Sequence, residues 1–140
     1  MASLQPAVRI EFLADHPALI PAIGQLRYHA WGGPSQTGLA GWIAITAREA
    51  GREALPIAWV ALADNGEALG AAGLQPGPDI AGRPEFCSAV VRVIVAPGHR
   101  GRGIGRRLLA AIAQWAQEHG SGPLYVVTGD AAVGFYRHCG

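Results

Sequence analysis

The stretch Val93-Ile94-Val95-Ala96-Pro97-Gly98-His99-Arg100-Gly101-Arg102-Gly103-Ile104-Gly105-Arg106-Arg107-Leu108-Leu109 decides how the whole chain is read. A β-branched run stops at Pro97, a glycine-rich turn follows, and an amphipathic helix begins at once. Gly101, Gly103 and Gly105 remove Cβ atoms where a backbone must come close to a ligand. The first turn of a helix leaves its N–H groups without intrahelical partners, and the helix dipole favours an anion there. Arg100, Arg102, Arg106 and Arg107 add positive charge beside those donors. In chemical terms the turn is a seat for a pyrophosphate.

Other readings of the same stretch fit less well. A Walker phosphate loop needs a lysine after its last glycine, and the 11 basic residues of this chain are all arginine. A dinucleotide fingerprint spaces its glycines G-x-G-x-x-G, whereas here they run G-x-G-x-G and follow a strand too late for a first βαβ unit. A solvated arginine-rich helix start does not require strand, proline, arginine, spaced glycines and helix in this fixed order.

Upstream, Val8, Ile10 and Phe12 alternate with more polar neighbours and predict a short first strand. Asp15 can cap a helix with Pro17 in its first turn. Pro21 moves the regular part onward, so that Ile23, Leu26 and Ala30 are buried and Trp31-Gly32-Gly33-Pro34 stops the helix. Leu39, Trp42, Ile43 and Thr46 predict a second helix from Leu39 to Ala50, ended by Gly51, after which Leu55-Pro56 leads out. Ile57 to Leu62 and Ala68 to Leu74 read as two strands joined by a tight turn at Asp64-Asn65-Gly66. The Gly- and Pro-rich loop from Gln75 to Pro84 leads to a long strand, Phe86 to Val95, in which Arg92 is the only charge and both faces are mostly covered. A helix over Gly103 to His119 buries Ile104, Leu108, Ile112 and Trp115; Leu124 to Thr128 is a further strand and Ala131 to His138 a last short helix.

The bulk properties narrow the field further. A chain of 140 residues, half of them apolar and 15% charged, suits one packed domain, taken here as 1–140. A net charge of +1 supplies no global field for nucleic acid or for an acidic membrane surface. Cys87 and Cys139 do not make a metal-ligand spacing or a disulfide framework, so they read as reduced thiols, with no metal implied. With neither a signal-like start nor a membrane-length apolar run, a cytoplasmic protein is expected.

At the segment Arg100-Gly-Arg-Gly-Ile-Gly105 the chain resembles the GCN5-related N-acetyltransferases, whose cofactor motif [RQ]-x-x-G-x-[GA] is matched at every position. The resemblance implies a mixed α/β acyl-CoA N-acyltransferase fold. Its central sheet is mostly antiparallel, with splayed fourth and fifth strands, and is flanked by helices. Acetyl-CoA is the implied co-substrate. Its pyrophosphate would lie on the N–H groups from Gly101 through Arg102, Gly103, Ile104 and Gly105 to Arg106, and its pantetheine arm along the backbone of Val93, Ile94 and Val95. Gly134-Phe-Tyr-Arg-His-Cys-Gly140 is similar to the family's F-Y-x-x-x-G segment, which makes Tyr136 the candidate general acid toward the departing thiolate. Phe135 is expected to pack.

Glu85, in an Arg-Pro-Glu segment similar to that of some family members, is the candidate base, with a solvated loop carboxylate as the plainer alternative. Ile94 N–H is an implied donor to the oxyanion. His99, in the phosphate turn, is expected to serve structure or phosphate contact. Tyr28, His29, Trp31 and Trp42 are candidates to line an acceptor pocket, although aromatics at helical spacing more often belong to a core. The expected acceptor is a small-molecule amine or a peptide amine.

Two departures from the family are expected to matter. Gly129-Asp130 stands where many members carry an asparagine, and the C-terminal strands of the fold are missing from the sequence as read. A homodimer covering the exposed sheet edge would answer the second. A non-catalytic CoA-binding module is the alternative function. An RNA-binding domain is weaker, because aromatics do not interleave the arginines.

Overall fold

The computed structural model describes residues 8–35, 37–52, 54–76, 88–119 and 124–127. In chain order these form β1 (Val8–Phe12), α1 (Ile20–Ser35), α2 (Leu39–Arg48), β2 (Ile57–Ala63), β3 (Ala68–Pro76), β4 (Ser88–Val95), α3 (Ile104–Glu118) and β5 (Leu124–Val127). The strands lie side by side in the order β1-β2-β3-β4-β5. The first three pairings are antiparallel and the last, β4 with β5, is parallel. A parallel pair needs a crossover, and α3 provides it. The mostly antiparallel sheet expected from the sequence is therefore present.

β2 shows why both faces of this sheet are covered. Its residues from Ile57 to Leu62 are all buried. Ile57, Trp59 and Ala61 meet Ile104, Leu108, Leu109, Ile112 and Trp115 of α3 on one face. Ala58, Val60 and Leu62 meet Leu13, Ile23 and the half-buried Leu26 on the other. Side chains alternate across a strand, so one apolar run feeds two cores. Each fully buried aliphatic side chain contributes about 1.5–3 kcal/mol. The expected β2–β3 turn forms over Asp64-Asn65-Gly66 with Gly66 alone left-handed: Gly66 has φ +86°, Gly66 N donates to Ala63 O at 2.9 Å, and Asn65 Oδ1 accepts from Glu67 N at 2.9 Å.

The helical region departs from the sequence expectations in three places. Asp15 caps no helix; it lies in a short 3₁₀ turn, Leu13–Asp15, and pairs with Arg52. A second turn at Pro17–Leu19 leads directly into α1 at Ile20, so Pro21 falls in the first helical turn, where its missing N–H costs nothing. α1 then runs through Gly32, Gly33 and Pro34 to Ser35 rather than stopping, and Ala30 is exposed. Gly32 serves packing here: a Cβ on it would lie 2.7 Å from Tyr28 Cε1. Finally, α2 ends at Arg48, because Ala50 and Gly51 bridge to Ile57.

β4 carries a bulge. Val91 lies opposite Gly73 and Ile94 opposite Ala71, so Arg92 and Val93 together face Ala72. Arg92 takes φ +54°, a conformation that costs a non-glycine residue about 1–2 kcal/mol. β5 pairs with β4 only from Ser88 to Val91. Beyond the bulge, Arg92 to Val95 have no β5 partner among the described residues. Glu85, Cys87, Gly129, Asp130, Phe135, Tyr136, Cys139 and the expected last helix lie outside the described residues.

Candidate active site

The segment that follows β4 is built around two left-handed glycines. Pro97–His99 makes one 3₁₀ turn, and Gly101 and Gly103 each take φ +78°. A Cβ on either would meet nothing within 4 Å, so backbone conformation, and not crowding, calls for glycine at these positions. Gly103 caps α3, its carbonyl receiving Arg107 N at 3.0 Å, while Ile104 anchors the helix start at 2% exposure. Gly105 is different. It is helical, and the nearest atom to a Cβ there is Val95 Cγ2 at 3.8 Å, so a side chain would fit in the protein alone. The two left-handed glycines lead straight into the first turn of α3, whose unpaired N–H groups make a helix N-terminus able to receive an anion.

An open groove of about 460 Å³ adjoins this turn, lined by Ala30, Trp31, Val93, Ile94, Val95, Arg100 and Gly105. The structure thus brings the expected strand residues together with the expected turn. Ala96 N donates to Leu69 O of β3 at 2.8 Å, so the preceding residue, Val95, turns its carbonyl to the other side of the strand. There Arg100 Nε donates to it at 3.2 Å. Arg102 Nη1 lies 2.9 Å from His99 Nδ1, which gives His99 a structural place in the turn. Arg102, Arg106 and Arg107 are exposed.

Of the four candidate acceptor residues only Trp31 reaches the groove. Trp42 is 7% exposed and packs on Trp31 with ring centroids 5.6 Å apart, as a core residue. Tyr28 and His29 are exposed and touch each other at 5.7 Å.

Sequence reasoning missed the charged cluster under β4. Arg27 of α1 is fully buried, with Nη1 donating to Thr46 Oγ1 at 3.0 Å and Glu49 Oε2 at 3.1 Å. Its Nη2 donates to Glu49 Oε1 at 3.1 Å and to the bulge carbonyl, Arg92 O, at 3.2 Å. Arg92 Nε donates to Glu49 Oε2 at 2.7 Å, and Arg92 Nη2 to Gln75 Oε1 at 2.9 Å. Burial lowers the pKa of Arg27, and the charge and hydrogen bonds of Glu49 offset only part of that. A signal existed in the sequence: Arg27 falls one turn after Ile23 on a buried stripe, and Trp42, Thr46 and Glu49 share another.

Among the described residues no group of three His, Cys, Asp or Glu side chains could hold a metal ion, and no helix is long and apolar enough to cross a membrane.

A bulged strand, with no β5 partner beyond the bulge among the described residues, leads through a glycine turn into a helix, an arrangement suited to a cofactor with a phosphate-bearing head and an extended arm. The chain belongs to the acetyltransferase (GNAT) family, which it matches over residues 22–140. It is an acetyl-CoA-dependent N-acetyltransferase. Among solved structures it is similar to the aminoglycoside N-acetyltransferase AAC(6')-Iy in complex with CoA, at 18% identity and a TM-score of 0.77, over 100% of this chain and 91% of that one. The same enzyme bound to the bisubstrate analogue CoA-S-monomethyl-acetylneamine matches at 19% identity and TM-score 0.71, over 96% of this chain and 90% of that one. A GNAT family acetyltransferase from Brucella melitensis in complex with acetyl-CoA is 25% identical, with a TM-score of 0.67, over 97% of this chain and 83% of that one. No curated protein matches the sequence.

Proposed function

We propose that this enzyme transfers the acetyl group of acetyl-CoA to a primary amine by direct attack within a ternary complex. The observation that carries this reading is the groove joining the strand edge Val93–Val95 to Arg100 and Gly105. In it the pyrophosphate lies on the N–H groups of residues 101–106, helped by Arg100 and Arg102, and the pantetheine arm follows Val93, Ile94 and Val95. The similarity to an acetyltransferase holding a CoA–neamine bisubstrate analogue supports a single site for both substrates.

An alkylamine of pKa about 10.4 must lose a proton before it attacks. Glu85, or water, is the acceptor of that proton in this reading, and Tyr136 supplies the proton taken by the departing thiolate. Most of the acceleration comes from holding amine and thioester together. The acceptor is a small-molecule amine or a peptide amine, the protein acts in the cytoplasm, and a second copy of the chain covers the sheet edge.

The test is thiol release from acetyl-CoA with a panel of polyamines, aminoglycosides, amino acids and peptide N-termini. Saturable release with one class supports the proposal. CoA binding without release by any amine would place the protein among non-catalytic CoA-binding modules.

A further inference from the structure

We propose that Arg27 is a positioning residue for acyl transfer, fixing the β4 bulge and through it the strand edge Val93–Val95; this rests on the CoA site described above. The residue is fully buried, yet packing alone does not call for a guanidinium, since an apolar side chain of similar volume fills such a site at less cost. What the guanidinium adds is reach. Besides Thr46 and Glu49 it bonds one main-chain atom, the carbonyl of Arg92, 65 residues away in sequence. That carbonyl is joined directly to Val93, which lines the groove.

A left-handed arginine persists only where its surroundings over-determine it. Here both halves of Arg92 are tied to the same pair. Its carbonyl is held by Arg27, and its side chain by Glu49 and Gln75. Glu49 is held in turn against β3, where a Cβ on Gly73 would come within 2.9 Å of its carboxyl carbon. One turn beyond Arg27 in α1, Trp31 forms another wall of the groove. Arg27 thus sets the bulge and the facing helix relative to each other. The phosphate turn is anchored separately, by Ile104 and α3.

This separation gives a readout that general damage would not produce. Arg27→Lys keeps the charge and loses the fork. It should weaken CoA binding and lower kcat by about tenfold to a hundredfold, while binding of 3′-phospho-ADP, the nucleotide half of CoA, stays within about twofold of wild type, all read by calorimetry and thiol release. Gly73→Ala, which displaces the Glu49 carboxylate without removing a charge, should shift the same ratio, and serves if Arg27→Lys does not fold. Equal weakening of CoA and 3′-phospho-ADP, or no weakening of either, would overturn the proposal. A folded wild-type chain that binds neither compound would overturn the CoA site itself.

Discussion

Val90 and Ile94 lie four residues apart on one strand and face opposite sides of the sheet, Val90 toward α3 and Ile94 toward α1. In a regular strand they would share a face. The extra residue at the Arg92–Val93 bulge reverses the alternation, so that Val93 and Val95 pack toward the α3 core and Ile94 toward α1. The strand that reaches the phosphate turn is therefore re-aimed at its midpoint, and the Arg27–Glu49 pair sits at that midpoint.

Glu49→Gln leaves two guanidinium groups around a neutral amide in a buried site. Breaking a buried pair by removing one partner costs about 3–5 kcal/mol. The expected result is a large fall in the urea midpoint with the slope unchanged. A loss below about 1 kcal/mol, the range of exposed pairs, would show that the pair is not sealed in solution.

The three glycines of the turn should separate by substitution to alanine. Gly101→Ala and Gly103→Ala each place a Cβ on a residue at φ +78° and should cost about 1–2 kcal/mol. Gly105→Ala has helical backbone and meets only an ordinary contact with Val95 Cγ2 at 3.8 Å, and should stabilise the fold by about 0.5–1 kcal/mol. Thermal unfolding of the three variants reads the difference in sign.

Trp31 is half-buried at the groove, whereas Trp42, Trp59 and Trp115 are core residues no more than 8% exposed. Intrinsic fluorescence should respond to CoA in the wild type and in Trp59→Phe. The response should largely disappear in Trp31→Phe. An unchanged response in that variant would remove Trp31 from the binding groove.

Tyr136→Phe should lower kcat about a hundredfold, at the lower end of what general acid–base groups contribute, and leave the Kd for CoA unchanged. Glu85→Gln should lower kcat mainly on the acidic side of the pH profile, where the amine is most protonated. A Tyr136→Phe enzyme with full kcat would make that residue a packing tyrosine.

What could be read from sequence was what depends on neighbours in sequence. Asn65-Gly66 dictates its own turn, the spacing of Ile104, Leu108, Ile112 and Trp115 dictates the buried stripe of α3, and the glycines of the phosphate turn adjoin the helix that they start. The bulge could not be read in this way. Its backbone is held by Arg27 and Glu49, 65 and 43 residues distant, and nothing in Val90-Val91-Arg92-Val93 departs from an ordinary strand. Gly32-Gly33-Pro34 misled for a related reason: the room that Gly32 leaves for the Tyr28 ring is visible only once both are on a helix.

In the proposed complex the pyrophosphate of acetyl-CoA sits on the start of α3. Calorimetric titration of wild type and Gly105→Glu with acetyl-CoA tests it most directly, because the bare backbone of Gly105 tolerates a side chain in the protein alone. One saturable site in the wild type, lost in a variant at least as stable to heat, is the predicted result. Equal binding by both, or none by a folded wild type, would contradict it.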